Sequence, residues 1–172
     1  ERTSGNIWGN ELKITASDAA ANDWFGSDVS INGDYAIVGA RNDDDNGTDS
    51  GSVYIYERTS GNIWGNELKI TASDGSANDL FGSDVSISGD YVIVGARNDD
   101  DNGTDSGSVY IYERASGNTW GNEFKITASD GAANDLFGSA ISISGDYAIV
   151  GARRDDDNGT DSGSVYIYRI SG

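Results

Sequence analysis

Four residue types are missing from this 172-residue chain: cysteine, histidine, proline and methionine. Without cysteine there is no disulfide, no thiolate nucleophile and no sulfur ligand for a metal. Without histidine there is no imidazole base or ligand, which removes the common catalytic triads and most zinc centres. Positive charge is scarce: 11 Lys and Arg stand against 29 Asp and Glu, a formal net charge of −18. Such a balance excludes nucleic acid and anionic lipid as partners, since both require a basic face. No apolar run approaches the ~20 residues of a membrane helix, so no membrane insertion is expected, and no signal-peptide pattern is present. The lack of any methionine implies a processed or excised segment.

What is there is one unit of 56 residues written three times, over 1–56, 57–112 and 113–168, with 169–172 starting a further repeat. Copies one and two differ at five positions and copies two and three at eight. Repeats of this length mark architectures in which each unit buries its apolar surface against its neighbours. The whole chain, 1–172, is therefore expected to form a single unit.

Within a repeat the apolar residues recur with period two. Four runs carry the β-branched and aromatic residues, bounded by Gly, Asn, Asp and Ser: Phe25–Ile31, Asp34–Ala40, Gly51–Tyr56 and Trp64–Thr71. This is the strand signature, and no capped 3.6-periodic stretch competes with it. The second and third runs are apolar on both faces and need cover on both sides. The fourth alternates Trp64, Leu68 and Ile70 with Glu67, Lys69 and Thr71, which suits an outer strand with one wet face. The first is small and polar, as expected near an axis where strands crowd, with Asp28 and Asp84 facing a channel and Ala140 interrupting them. Asn32-Gly33 and Ser88-Gly89 are expected as hairpin connections. An all-β fold follows: β-propeller blades of four antiparallel strands, three blade-equivalents per chain.

The phase of the repeat splits one blade between the termini. Residues from Glu1 to about Ser17 match a fourth strand with no first three before it, and the last copy stops after its third strand. The tail Arg169-Ile170-Ser171-Gly172 echoes Arg58-Thr59-Ser60-Gly61. Rings usually hold four to eight blades. The expected partner is thus a second copy of the chain, exchanging N-terminal strands to close six blades. A piece of a longer array and a head-to-tail filament are the alternatives.

The residues Phe25-Gly26, Ala36-Ile37-Val38-Gly39-Ala40-Arg41 and Gly51-Ser52-Val53-Tyr54-Ile55-Tyr56 resemble the FG-GAP repeat of integrin α-chain propellers and many bacterial surface proteins. The same elements recur at Phe81-Gly82, Val94-Gly95-Ala96-Arg97 and Gly107–Tyr110, and at Phe137-Gly138, Val150-Gly151-Ala152-Arg153 and Gly163–Tyr166. The family's usual proline is arginine here in every copy. Integrin-like repeats often carry a calcium loop between the two elements. Here that stretch is only Ile31-Asn32-Gly33-Asp34, too short to wrap an ion. The resemblance implies a propeller with a binding or adhesion role at the cell surface or outside the cell.

The acidic residues gather instead in Asn42–Ser50, repeated at Asn98–Ser106 and Arg154–Ser162. Calcium takes six to eight oxygen ligands, often several carboxylates around a glycine turn. Asn42, Asp44, Asn46 and Gly47 open like an EF-hand loop, but Val53 stands where the bidentate Glu belongs. A different calcium loop would use Asp43, Asp45 and Asp49, with Asp99, Asp101 and Asp105 in the second copy and Asp155, Asp157 and Asp161 in the third. The competing reading is a solvated acidic turn that keeps the protein soluble. The linker Ala72–Asp79 should emerge on the same face, giving a ring with one strongly acidic face.

Asn46-Gly47-Thr48 and its two copies match the N-glycosylation pattern, which is usually unused in bacteria. Trp8, Trp64 and Trp120 could stack on sugars, but their periodic place favours packing between blades. Carboxylates are abundant, yet none sits in an evident apolar pocket that would tune it for acid–base chemistry, so no enzyme is expected. The function expected from the sequence is a non-catalytic, calcium-supported adhesion or scaffold module. A carbohydrate-binding propeller is the alternative, and the ligand is a protein or a glycan.

Overall fold

In the computed structural model the chain is described over residues 9, 11–61 and 63–170. Two sheets of four strands and one of three account for its regular structure. The first holds β1 (Phe25–Asn32), β2 (Tyr35–Ala40), β3 (Ser52–Thr59) and β4 (Ile63–Ile70). The second holds β5 (Phe81–Ser88), β6 (Tyr91–Ala96), β7 (Ser108–Ser116) and β8 (Thr119–Ile126). The third holds β9 (Phe137–Ser144), β10 (Tyr147–Ala152) and β11 (Ser164–Arg169). Strands follow one another in order and antiparallel within each sheet. The all-β blade expected from the period-two pattern is the blade observed.

The hairpin connection falls one residue later than the sequence implies. Asn32 pairs with Tyr35, so Gly33 and Asp34 form the turn, and Gly33 takes the positive φ of 58° that opens it. The tail also differs. Tyr147 pairs with Arg169 as Tyr91 pairs with Glu113, and Ile170 N–H donates to Asp146 O as Arg114 N–H does to Asp90 O. Arg169 therefore occupies the place of Glu113 rather than that of an arginine.

Blades stack through two apolar clusters. Ile37, Val53 and Ile55 of the first sheet pack against Phe81, Val85 and Ile87 of the second. Ile93, Val109 and Ile111 of the second pack against Phe137 and Ile143 of the third. Between blades, the inner strands β1, β5 and β9 are joined by hydrogen bonds from side chains to backbone. Asp28 Oδ2, Ser30 Oγ and Asn32 Oδ1 accept the N–H groups of Val85, Ile87 and Gly89, and Asp84, Ser86 and Ser88 repeat this on Ile141, Ile143 and Gly145. Asp28 and Asp84 thus tie inner strands together.

Some glycines of the repeat lie where neighbouring backbones meet. A Cβ on Gly39 would come inside 3.0 Å of the Gly82 carbonyl oxygen, and one on Gly95 would do the same to Gly138. Only glycine fits there.

In β4 the alternation of faces breaks. A bulge at Asn66 and Glu67 of β4, with Asn66 at φ 47°, sets two residues opposite Tyr56 of β3 and shifts the register by one. One residue of slip sends a side chain to the other face. Leu68 and Ile70 pack forward onto the second blade, but Trp64 turns back with Ala16, Tyr54 and Tyr56. The expectation that Trp64 shares a face with Leu68 and Ile70 is corrected by that bulge.

Of the segment expected as an N-terminal fourth strand, residues 1–8 and 10 lie outside the described residues. Residues 11–17 form no strand, because a fourth strand takes its hydrogen bonds from a third strand of its own blade and none is adjacent. Ile14 and Ala16 pack on the first blade beside Tyr54 and Tyr56. The third strand that has hydrogen-bonded neighbours on one side only is β11, two blades away.

Candidate functional site

The acidic loop after β2 and the linker to the next blade do emerge together. Asn78 N–H donates to Thr48 O at 2.8 Å, Phe81 N–H to Ser50 O at 2.9 Å, and Asn46 Nδ2 to Ala72 O at 3.1 Å. Asp49 holds a φ of 53°, with its N–H on the Asp44 carboxylate at 2.8 Å. Asp79 folds the linker by accepting Ser76 N–H at 2.7 Å. Burial, opposed by that bond and reinforced by Asp99, pushes its carboxyl up to about 6.

At the centre of the first loop sits a lysine. Lys69 Nζ lies 2.8 Å from Asp18 Oδ2, 2.9 Å from Asp43 Oδ2 and 2.6 Å from Asp45 Oδ2. Tyr54 O–H reaches Asp18 at 2.8 Å and Asp43 at 3.1 Å, and its ring lies beneath the ammonium. Burial favours the neutral forms, but the three carboxylates overcome it and raise the Lys69 ammonium far above its usual range. Burial likewise raises Asp43, yet the bonds from Lys69 and Ser52 hold it below the ordinary carboxylate value. The second loop repeats the arrangement: Lys125 Nζ is 2.8 Å from Asp74, 2.8 Å from Asp99 and 2.7 Å from Asp101.

Sequence reasoning put Lys69 on a wet face and missed this role. The signal was present, since a lysine faces the third strand's Tyr in the first two blades, at Tyr54↔Lys69 and Tyr110↔Lys125. Glu67 on the same face accepts Tyr56 O–H at 2.8 Å and Ser17 Oγ at 2.6 Å, joining β4 to the chain that enters the blade.

The third loop has the carboxylates without the lysine. Tyr166 O–H reaches Asp130 at 2.8 Å and Asp155 at 3.0 Å, as its counterparts do. The backbone N–H of Asp157 lowers Asp155, while Asp155 and Asp130 together raise Asp157. Three carboxylates surround the tyrosine here without the ammonium that lies among them in the other two loops, and the positive charge of this copy sits instead at Arg154, where Asn42 and Asn98 stand in the others.

The nine aspartates expected as calcium ligands divide accordingly. Asp43 and Asp45, and likewise Asp99 and Asp101, converge on a lysine. Asp155 and Asp157 converge on each other. Asp49 lies apart, accepting Asn42 Nδ2 at 2.7 Å, and Asp105 and Asp161 bond back to Asp100 and Asp156. Among the described residues no group of three or more acidic side chains is arranged to hold a metal ion. In the first two loops an ion would have to displace the lysine, so the residues as placed do not fit a calcium site.

Of the tryptophans expected to pack between blades, Trp120 does so, Trp64 lies on the outer face of the first blade with Ala16, Tyr54 and Tyr56, and Trp8 lies outside the described residues. Trp120 is buried, edge-on to Tyr35 of the first blade at 5.7 Å, with its Nε1–H donating to Asn118 Oδ1 at 2.9 Å. Trp24 is exposed and carries Arg41 over its ring at 4.5 Å. The arginines in place of the family proline lie near one another: burial and the charges of Arg41 and Arg153 lower Arg97.

The two ends of the stack expose what the middle hides. Val53 and Val109 are fully buried, but their counterpart Val165 is 66% exposed. Ile55 and Ile111 are 0% and 9% exposed and Ile167 is 70%. On the opposite end Val29 and Ile31 are 62% and 65% exposed, where Val85 and Ile87 are 4% and 5%.

The FG-GAP repeat is matched over residues 8–56, 64–112 and 120–168. The chain belongs to the FG-GAP repeat family. Repeats of this family build binding or adhesion-type modules and are generally non-catalytic. The close approach of Gly39 to Gly82, and of Gly95 to Gly138, gives the physical reason for the motif: the GAP glycine of each of the first two blades lies against the carbonyl of the next blade's FG glycine. No curated protein matches the chain.

Proposed function

We propose that this FG-GAP chain is a non-catalytic structural module of a secreted or surface protein, and that its own blade faces are its first binding sites. One observation carries this: the forward face of the third blade and the rear face of the first expose the same residues that seal the two internal junctions. Contiguous apolar surface of this kind marks an interaction site. A second copy offers the complementary face, and two chains of three blades give a six-bladed ring. Light scattering on the chain of 18.1 kDa tests it. A mass of about two chains is expected, and a single-chain mass at micromolar concentration overturns the reading.

Calcium enters this proposal only for the unassembled chain, at the third loop, where Asp130, Asp155 and Asp157 have no lysine from their own blade and would have to draw together around the ion. A carbohydrate-binding role is favoured by one feature, the groove between the second and third blades lined by Tyr91, Phe124 and Tyr168. Glycan-array binding that survives chelation would establish that role, and an empty array would remove it.

A further inference from the structure

The third blade lacks two things that the other blades have, and both deficits are matched by one segment of the chain. The first is the lysine between Asp130, Asp155 and Asp157. The second is a tryptophan. Between the first and second blades Trp120 fills the junction against Tyr35. At the corresponding place between the second and third blades is an open groove of ≈ 250 Å³, lined by Tyr91, Ile111, Phe124 and Tyr168, with Tyr91 the counterpart of Tyr35.

Residues 8–14, Trp-Gly-Asn-Glu-Leu-Lys-Ile, are identical in sequence to 64–70, which span most of β4. The edge they would need is also identical: Ser164–Tyr168 of β11 repeats Ser52–Tyr56 of β3. Resting on the assembly proposed above, we propose that residues 8–14 of a second copy add to β11 as its missing fourth strand. The register of β3 with β4 transfers directly: Val53↔Ile70, Tyr54↔Lys69 and Ile55↔Leu68 become Val165↔Ile14, Tyr166↔Lys13 and Ile167↔Leu12.

Three side chains then find their sites at once. Lys13 enters the carboxylate trio as Lys69 and Lys125 do in theirs. Trp8 fills the groove beside Tyr91. Glu11 meets Tyr168 and Ser129 as Glu67 meets Tyr56 and Ser17. Strand addition at an exposed sheet edge supplies affinity from backbone hydrogen bonds and specificity from alternate side chains. The same segment cannot reach β11 of its own chain, because Ile14 and Ala16 are packed on the first blade and β11 belongs to the third.

The cysteine-free sequence makes the test direct. In Leu12→Cys/Ile167→Cys the two thiols face each other across the register and, on oxidation, should give a covalent two-chain species that reductant reverses. Lys13→Cys/Ile167→Cys, one residue out of register, should link far less. Lys13→Gln leaves the blades intact and should weaken association roughly 10-fold or more, since three carboxylates lose their only cation. A reduction-sensitive ladder retains the strand exchange and replaces the ring with a filament. A disulfide confined to single chains overturns the exchange. A two-chain mass with no link and no response to Lys13→Gln also overturns it, while leaving the stacked blade faces standing. A single-chain mass removes both.

Discussion

Gly39, Gly95 and Gly151 are the same position in three copies, and the structure gives the third a different neighbour. A Cβ on Gly95 would stand inside 3.0 Å of the Gly138 carbonyl oxygen, whereas one on Gly151 meets only Ala140 at an ordinary 3.6 Å. Gly95→Ala therefore forces two backbones apart at a buried junction. Overpacking of this kind costs about 1–3 kcal/mol. At about 2–4 °C per kcal/mol for a chain of this size, its melting temperature should fall by roughly 2–12 °C. Gly151→Ala meets no such obstacle within the chain. Its strand φ suits alanine, and reduced freedom of the unfolded chain offsets any small loss.

In the proposed assembly, however, Gly151 would face Gly26 of a second copy as Gly95 faces Gly138. Gly151→Ala should then separate folding from association. The single chain melts unchanged in dilute solution. The two-chain ring carries the clash twice, about 2–6 kcal/mol in all, so its dissociation constant rises roughly 30-fold at the low end. Thermal denaturation by circular dichroism reads the first quantity and concentration-dependent light scattering the second. If Gly151→Ala associates as wild type does, the blade faces do not meet in this way.

Three further outcomes follow from the loops and the inner ladder. Lys69→Met leaves Asp18, Asp43 and Asp45 without their cation and should lower stability by about 2 kcal/mol, discounted for partial exposure, with Lys125→Met matching it in urea titrations; equal stability would mean that the lysine only covers a surface. Burial, and next the charge of Asp28 against the bond from Ile141, raises Asp84 to about 6, so its charged form is the one that folding disfavours. That group contributes stability below its unfolded value near 3.8, and the contribution is lost as pH rises to about 6. Asp84→Asn should thus be stabilising by about 1–2 kcal/mol at pH 7 and neutral near pH 3.5, and a gain independent of pH would refute this cause. Calcium followed by chelation should shift the melting temperature of the single chain only through the third loop, with Asp155→Asn abolishing the shift; no shift removes calcium from the module.

The strands were legible because both faces of β2 and β3 are apolar and the copies agree on where each run stops. The blade junctions were legible too, since Phe25-Gly26 and Val38-Gly39 carry the spacing of the family. The interior of the acidic loop was not. Lys69 alternates with Leu68 and Ile70 as a solvated residue would, and nothing local says that three aspartates from two different loops will reach it. Trp64 was misplaced for a related reason. Counting by twos assumes an unbroken ladder, and the bulge at Asn66 and Glu67 puts an extra residue opposite Tyr56 that no local hydrophobic pattern announces. The sequence shows the arginines only as residues in place of the family proline, whereas their mutual approach depends on how neighbouring blades pack.

The near-identity of the repeats also bears on how many chains can meet. Each internal junction uses the same residues, and the junction between copies would use them again, with Ala140 in place of an aspartate as its main difference within the inner ladder. Val29 N–H of the next copy would then lack the acceptor that Asp28 gives Val85 and Asp84 gives Ile141, while Ser142 and Ser144 remain to serve Ile31 and Gly33. The intermolecular junction should share the geometry of the internal ones and be weaker by one side-chain hydrogen bond, about 1 kcal/mol. A common geometry means a common rotation from blade to blade, so whole chains can close only on multiples of three. Propellers of four to eight blades contain one such multiple, and it is six. In the proposed assembly a two-chain ring would therefore be the closed form, with its weaker junctions where one copy meets the other.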